Sequence, residues 1–140
     1  MKINNKLQNQ PIGIFDSGLG GLTVLKSLQK ILPNESFIYF GDTAHVPYGS
    51  KGTKTVTKYA QNIMDFFIKH KIKAVVVACN TVSAVAFNYL KNLYDIPIFD
   101  VVSPSVEFAF KNSTNKNIGV LGTLSTIESK SYTKLLKKLD

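Results

Sequence analysis

Cysteine occurs once in this chain, at Cys79, and its setting is the first reason to look for chemistry. The run Val75-Val76-Val77-Ala78-Cys79-Asn80-Thr81 is apolar and mostly β-branched up to the thiol. After it, Val82, Val85, Ala86, Tyr89, Leu90 and Leu93 take up helical spacing. A sulfur at such a strand-to-helix turn lies where the positive end of a helix can stabilise a thiolate. Asn80-Thr81 reads as the cap of that helix. The competing reading is packing, since free cysteines are among the most buried residues and are usually inert. Two histidines bear on the choice. His45, in a loop, could approach Cys79 as the second member of a nucleophilic dyad. His70 reads more simply as a cation at a helix C-terminus. One cysteine and two unpatterned histidines make no metal-ligand set.

The other predicted strand ends are polar too. The first ends in Asp16-Ser17-Gly18-Leu19-Gly20-Gly21, the second leads through Gly41-Asp42-Thr43 to Val46-Pro47-Tyr48-Gly49, and the fifth ends in Gly122-Thr123 with Thr126 just beyond. Asp16 could cap the next helix with Ser17, hold a substrate ammonium, or orient a reacting thiol. Gly18-Leu19-Gly20 with Asp42 resembles part of a dinucleotide fingerprint, but Thr23 stands where the third glycine belongs. A tight turn is the simpler reading of those glycines. Together these ends offer acids, a thiol, hydroxyls, an amide and free backbone N–H groups. That set suits a small anion or zwitterion bearing carboxylate and amine groups.

The elements needed to gather these residues alternate strictly. Strands are predicted at residues 11–16, 36–40, 74–78, 96–102 and 117–121. Helices are predicted from Leu22, Leu25, Leu28 and Leu32, over 53–70, from 82 to 93, after Ser103-Pro104-Ser105, and over 124–139 with Tyr132, Leu135, Leu136 and Leu139 inward. The uniformly apolar third strand implies cover on both faces, as in a parallel sheet. The fold class is therefore α/β, a parallel sheet built from β-α repeats with right-handed crossovers. In such sheets ligands bind outside the carboxyl ends of the strands, which puts all these groups on one face.

Composition narrows the function classes. The 140 residues are 44% hydrophobic, enough for one domain with a real core, or one domain and part of another. A single cysteine excludes an internal disulfide framework and fits a reducing compartment. No apolar run approaches the ~18 residues of a membrane span. Residues 1–10 are polar, without the apolar stretch of a signal peptide, and read as a disordered leader; the cytoplasm is the expected location. The net charge of +8 comes from 17 lysines and no arginine, scattered rather than clustered. That pattern fits a solvated surface better than a nucleic-acid footprint.

The motifs Asp16-Ser17-Gly18-Leu19-Gly20-Gly21-Leu22-Thr23-Val24, Gly41-Asp42-Thr43-Ala44-His45-Val46-Pro47-Tyr48-Gly49 and Ala78-Cys79-Asn80-Thr81-Val82-Ser83, continued by Gly119-Val120-Leu121-Gly122-Thr123 with Thr126-Ile127, resemble the N-terminal half of glutamate racemases, in order. The resemblance implies a two-lobed α/β fold, with residues 11–100 as the first lobe and 101–140 as an incomplete start of the second. It also implies a cofactor-independent racemase that interconverts L- and D-glutamate, supplying peptidoglycan synthesis, cell-wall biogenesis and cell shape. In that family two thiols flank the α-carbon, because inverting a stereocentre needs a base on one face and an acid on the other. The resemblance makes Cys79 one of the two catalytic groups, with Asp16 assisting it. Asp16, Ser17, Tyr48, Gly49, Asn80, Thr81, Thr123 and Thr126 would bind substrate, and helix capping is the alternative for both threonines. His45 departs from a frequent arginine. The second cysteine, in a Gly-Cys-Thr-His segment, is not within these residues, so the 140-residue chain is expected to be inactive alone. The implied partner is glutamate, with no nucleic acid, membrane, metal or cofactor, and a full-length form compatible with a homodimer. An aspartate- or hydantoin-type racemase and a non-catalytic glutamate-binding fragment are the alternatives.

Overall fold

The computed structural model describes residues 9–139, so most of the leader expected at 1–10 lies outside the described residues. Four strands form one parallel sheet: β1 (Ile12–Asp16), β2 (Phe37–Gly41), β3 (Ala74–Val77) and β4 (Ile98–Asp100), in the order β2-β1-β3-β4. Helices connect them: α1 (Leu22–Ile31), α2 (Thr53–Lys69), and a pair, α3 (Asn80–Val85) and α4 (Phe87–Leu93). After β4 come α5 (Val102–Asn112), α6 (Leu124–Glu128) and α7 (Ser131–Leu139).

The core follows from sequence period. α2 buries Val56, Ala60, Ile63, Met64 and Phe67, one helical stripe laid on the sheet. Phe67 meets Phe15, Phe40 and Phe66 in tilted and edge-on ring contacts. It also packs closely over Gly13, where a Cβ would lie 3.1 Å from its ring. Val75 and Val77 are fully buried, whereas Ala74 and Val76 are half-buried. The cover expected on both faces of β3 is thus thinner on one of them.

Three expectations change. Residues 117–121 form no strand among the described residues; the segment joins no ladder. Ile118 and Val120 instead line a groove with Val106 and Ala109 of α5 and Leu136 of α7. A β-prone stretch becomes a strand only beside another strand, and helices flank this one. The helix expected from 82 to 93 bends at Ala86 (φ −124°, ψ −13°), which keeps Val82, Ala86 and Leu90 all in the core. The helix expected over 124–139 breaks at Ser129-Lys130. Ser129 Oγ donates to Thr126 O (2.7 Å) and accepts from Ser131 N (3.1 Å), replacing helical bonds with local ones. Lys130 takes φ 55°, and α7 turns back to pack on α5 and touch α3.

Candidate active site

Strand order decides which polar ends meet. The chain runs from β1 outward to β2, then crosses to β3 on β1's other side, so the topological switch lies between β1 and β3. Ligand crevices open at that point in doubly wound sheets. Asp16 and Ser17 leave β1 there, and Cys79 leaves β3 there.

Cys79 is 4% exposed, and its Sγ lies 3.6 Å from Ser17 Oγ. As a thiol it donates to Ser17; as a thiolate it would accept from the same hydroxyl, which can act in either role. The thiol's pKa is raised. Burial is the largest cause, and the negative charge of Asp16 adds to it; hydrogen bonds from the Val82 backbone and from Ser17 pull the other way without prevailing. The thiolate stabilisation that the helix start could offer is therefore outweighed. α3 is a six-residue helix, and its pull is weaker than the cost of desolvating a charged sulfur.

Asp16 ties the turn after β1. Its Oδ2 accepts from Gly18 N (3.3 Å) and Gly21 N (3.1 Å), close to the capping role expected of it. Gly21 has to be glycine: a Cβ there would lie 2.8 Å from Asp16 Cβ and 2.9 Å from Ala78 Cβ. This close approach brings the β1 turn against the end of β3. Asn80 and Thr81 do not cap α3. Cys79 occupies the N-cap position and no side chain caps it. The two side chains turn elsewhere, Thr81 to Thr123 (3.0 Å) and Asn80 to Tyr132 (2.8 Å).

The loop after β2 closes another side. Asp42, 8% exposed, accepts from Tyr48 Oη (2.5 Å) and pairs with His45 Nδ1 (2.8 Å), and His45 stacks on Tyr59 at 4.2 Å. His45 is thus engaged by Asp42 and Tyr59 rather than by Cys79. Asp42 is likewise committed within its own loop, which removes the basis for a ribose contact. Tyr48 is 1% exposed, and burial, the Asp42 bond and the nearby Cys79 all raise its pKa, so it holds its proton.

Thr123 is the hub of the last side. It accepts from Thr126 N (3.3 Å), the capping expected of it, and its hydroxyl also meets Thr81 (3.0 Å) and Thr126 (2.9 Å). Its methyl fills the space beside Gly49, where a Cβ would lie 2.4 Å away. Ser125 Oγ reaches Gly49 O (3.0 Å) and Lys51 O (3.1 Å). Every site residue expected from the sequence is held by one of these contacts.

Tyr39 was not anticipated. Its hydroxyl donates to Gly18 O (2.9 Å), and its pKa is raised chiefly by burial, with the negative charge of Asp16 adding to it. The signal was a lone phenol in the apolar strand Phe-Ile-Tyr-Phe-Gly, but only the parallel register pairing Ile14 with Tyr39 and Asp16 with Gly41 places it beside the site. Among the described residues no cluster of His, Cys, Asp and Glu could hold a metal, and no helix is long and apolar enough to cross a membrane.

Fold and site define a parallel α/β protein with a buried thiol and a ring of hydroxyl, amide and carboxylate groups at its switch point. Residues 12–140 match the family model for Asp/Glu/Hydantoin racemase, and the chain belongs to that family. It is 49% identical over 134 residues to the glutamate racemase of Thermoanaerobacter pseudethanolicus, covering 96% of this chain and 50% of that protein. The crystal structure of glutamate racemase isoform RacE1 from Bacillus anthracis is similar with a TM-score of 0.92 at 38% identity, covering 95% of this chain and 50% of that one. The Francisella tularensis glutamate racemase, solved in complex with D-glutamate, has a TM-score of 0.87 at 43% identity, covering 94% and 49%. The chain spans about half the length of the curated relatives it matches.

Proposed function

We propose that this chain supplies one face of a glutamate racemase site, with Cys79 as one of two acid/base thiols that exchange the α-proton. The observation that carries this reading is the Cys79–Ser17 contact of 3.6 Å, in which a hydroxyl serves both protonation states of a sulfur that must change state. Asp16 holds the β1 turn beside the thiol and assists its proton transfer. Ser17, Asn80, Thr81, Thr123 and Thr126 offer hydroxyl and amide donors to substrate carboxylates, while Tyr48 and Gly49 wall the pocket. Proton transfer between two thiols calls for no cofactor. These residues hold a single cysteine, so inversion needs an acid or base from outside them. The proposed role extends to supplying D-glutamate for peptidoglycan in the cytoplasm, with residues 101–140 contributing to a second lobe.

The test is an NMR titration of the 140-residue chain with L- and D-glutamate, together with α-deuterium incorporation in heavy water. Resonances of Ser17, Asn80, Thr81 and Thr123 are expected to shift, and no D-glutamate is expected to form from L-glutamate. Any deuterium incorporation is expected to vanish in Cys79→Ser. Unmoved site resonances with both enantiomers would overturn the reading. The family description spans aspartate and hydantoin substrates as well. A parallel titration with aspartate therefore decides substrate class, and tighter binding of aspartate would replace glutamate in this proposal.

A further inference from the structure

An asparagine side chain has two unlike ends: a carbonyl oxygen that only accepts and an amide nitrogen that only donates. Which end faces a ligand decides whether the residue attracts a carboxylate or an ammonium. Asn80 is the first residue of α3, directly after Cys79, and its side chain is exposed. Something must choose its orientation, and α3 does not, because Asn80 caps nothing there.

Tyr132 makes the choice. Its hydroxyl donates to Asn80 Oδ1 at 2.8 Å. Nδ2 has no protein partner among the described residues, so the donor end is the one left for a ligand. Burial and the negative charge of Asp100 raise the Tyr132 pKa, which keeps the phenol protonated and donating. The phenol is itself held in place. Lys130 at φ 55° turns the chain into α7, and Ser131 Oγ donates to Ala84 O at 2.5 Å, so the first turn of α7 is bonded to α3 at both Asn80 and Ala84.

We propose that Tyr132 is a positioning residue that locks the Asn80 amide with its N–H₂ end toward the ligand, making Asn80 a dedicated carboxylate donor beside Cys79. The carboxylate half of this statement rests on the function proposed above; the orientation half does not. Tyr132→Phe removes one oxygen and keeps the ring, so packing is conserved. The 140-residue chain, labelled at asparagine, is compared with this variant by NMR. Loss of the bond is expected to move the Asn80 Cγ resonance upfield and to bring its two side-chain amide protons closer in shift. L-Glutamate binding is expected to weaken about fivefold, the scale of one hydrogen bond. The rate of Cys79 alkylation is expected to stay the same, which a general loosening of the site would not allow. Ser131→Ala, which frees α7 without touching the phenol, is expected to give the same changes at smaller amplitude.

Unchanged Asn80 resonances in Tyr132→Phe would overturn the orientation claim. Altered resonances with unchanged glutamate affinity would overturn the donor claim. If glutamate moves no resonance in the unmutated chain, the function proposed above fails, and the Asn80 signals alone decide whether Tyr132 holds the amide.

Discussion

Two parts of the molecule hold the same site by opposite means. β1, β3 and α2 position Asp16, Ser17 and Cys79 through burial: Ile14, Phe15, Val75, Val77 and Phe67 are all 0% exposed. The segment from Thr123 to Tyr132 reaches the site through directed polar contacts, while α7 buries no residue and Leu121 is fully exposed. Apolar burial is strong and non-directional. Hydrogen bonds are individually modest and strongly directional. The first part should therefore set whether the site exists, and the second how its donors point.

The sharpest way to break this comparison is Phe67→Ala. Emptying the space among Phe15, Phe40 and Phe66 should cost about 3–5 kcal/mol, a large share of the ~5–15 kcal/mol available to a domain. Urea denaturation should show global loss; a merely local effect would mean that α2 and the sheet are not the common support. Next in size is Gly49→Ala, which drives a methyl into Thr123. About 1–3 kcal/mol of strain is expected. Hydrogen exchange should show faster opening of α6, with β1 and β3 unchanged. Equal loss of protection in the sheet would erase the distinction between the two parts. Thr123→Val, which replaces the hub hydroxyl and the α6 cap but keeps the methyl beside Gly49, should cost about 1 kcal/mol with the same local pattern.

A fourth test addresses the buried part alone. Folding raises the Cys79 pKa, so above the ordinary thiol range the folded chain holds a proton that the unfolded chain has lost. Stability should be fully present below that range and fall as pH rises through the folded value. Alkylation by iodoacetamide should accordingly need a higher pH in the native chain than in urea. A native thiol titrating lower would reinstate the helix-stabilised thiolate. The smallest effect belongs to Glu35→Gln, which breaks a partly exposed pair with Lys73. At most ~1 kcal/mol is expected in denaturation experiments, because solvent screens such pairs.

Much of this architecture was legible in the chain. Leu22, Leu25 and Leu28, the stripe from Val56 to Phe67 and the apolar run to Val77 carry their periods openly, and all three elements formed where those periods place them. Less was legible where structure depends on a neighbour. Residues 117–121 have strand composition, yet they lie between helices. Ser129, Lys130 and Ser131 look helical in period, yet serine hydroxyls compete for backbone bonds there. Asn80-Thr81 looked like a cap because its residue types suit one, and tertiary partners took both side chains instead.

The sequence by itself determined the alternation of strand and helix, the lone thiol, and the polar residues at each strand end, because period and turn chemistry are local properties of a chain. Tertiary structure alone decided that β1 adjoins β3, that Ser17 meets Cys79, that Thr81 meets Thr123, and that Tyr132 reaches Asn80. It also decided that burial pushes the Cys79 thiol's pKa up rather than down. Those outcomes depend on distances between residues far apart in the chain and on how much water each group loses, and neither quantity exists until the chain has folded.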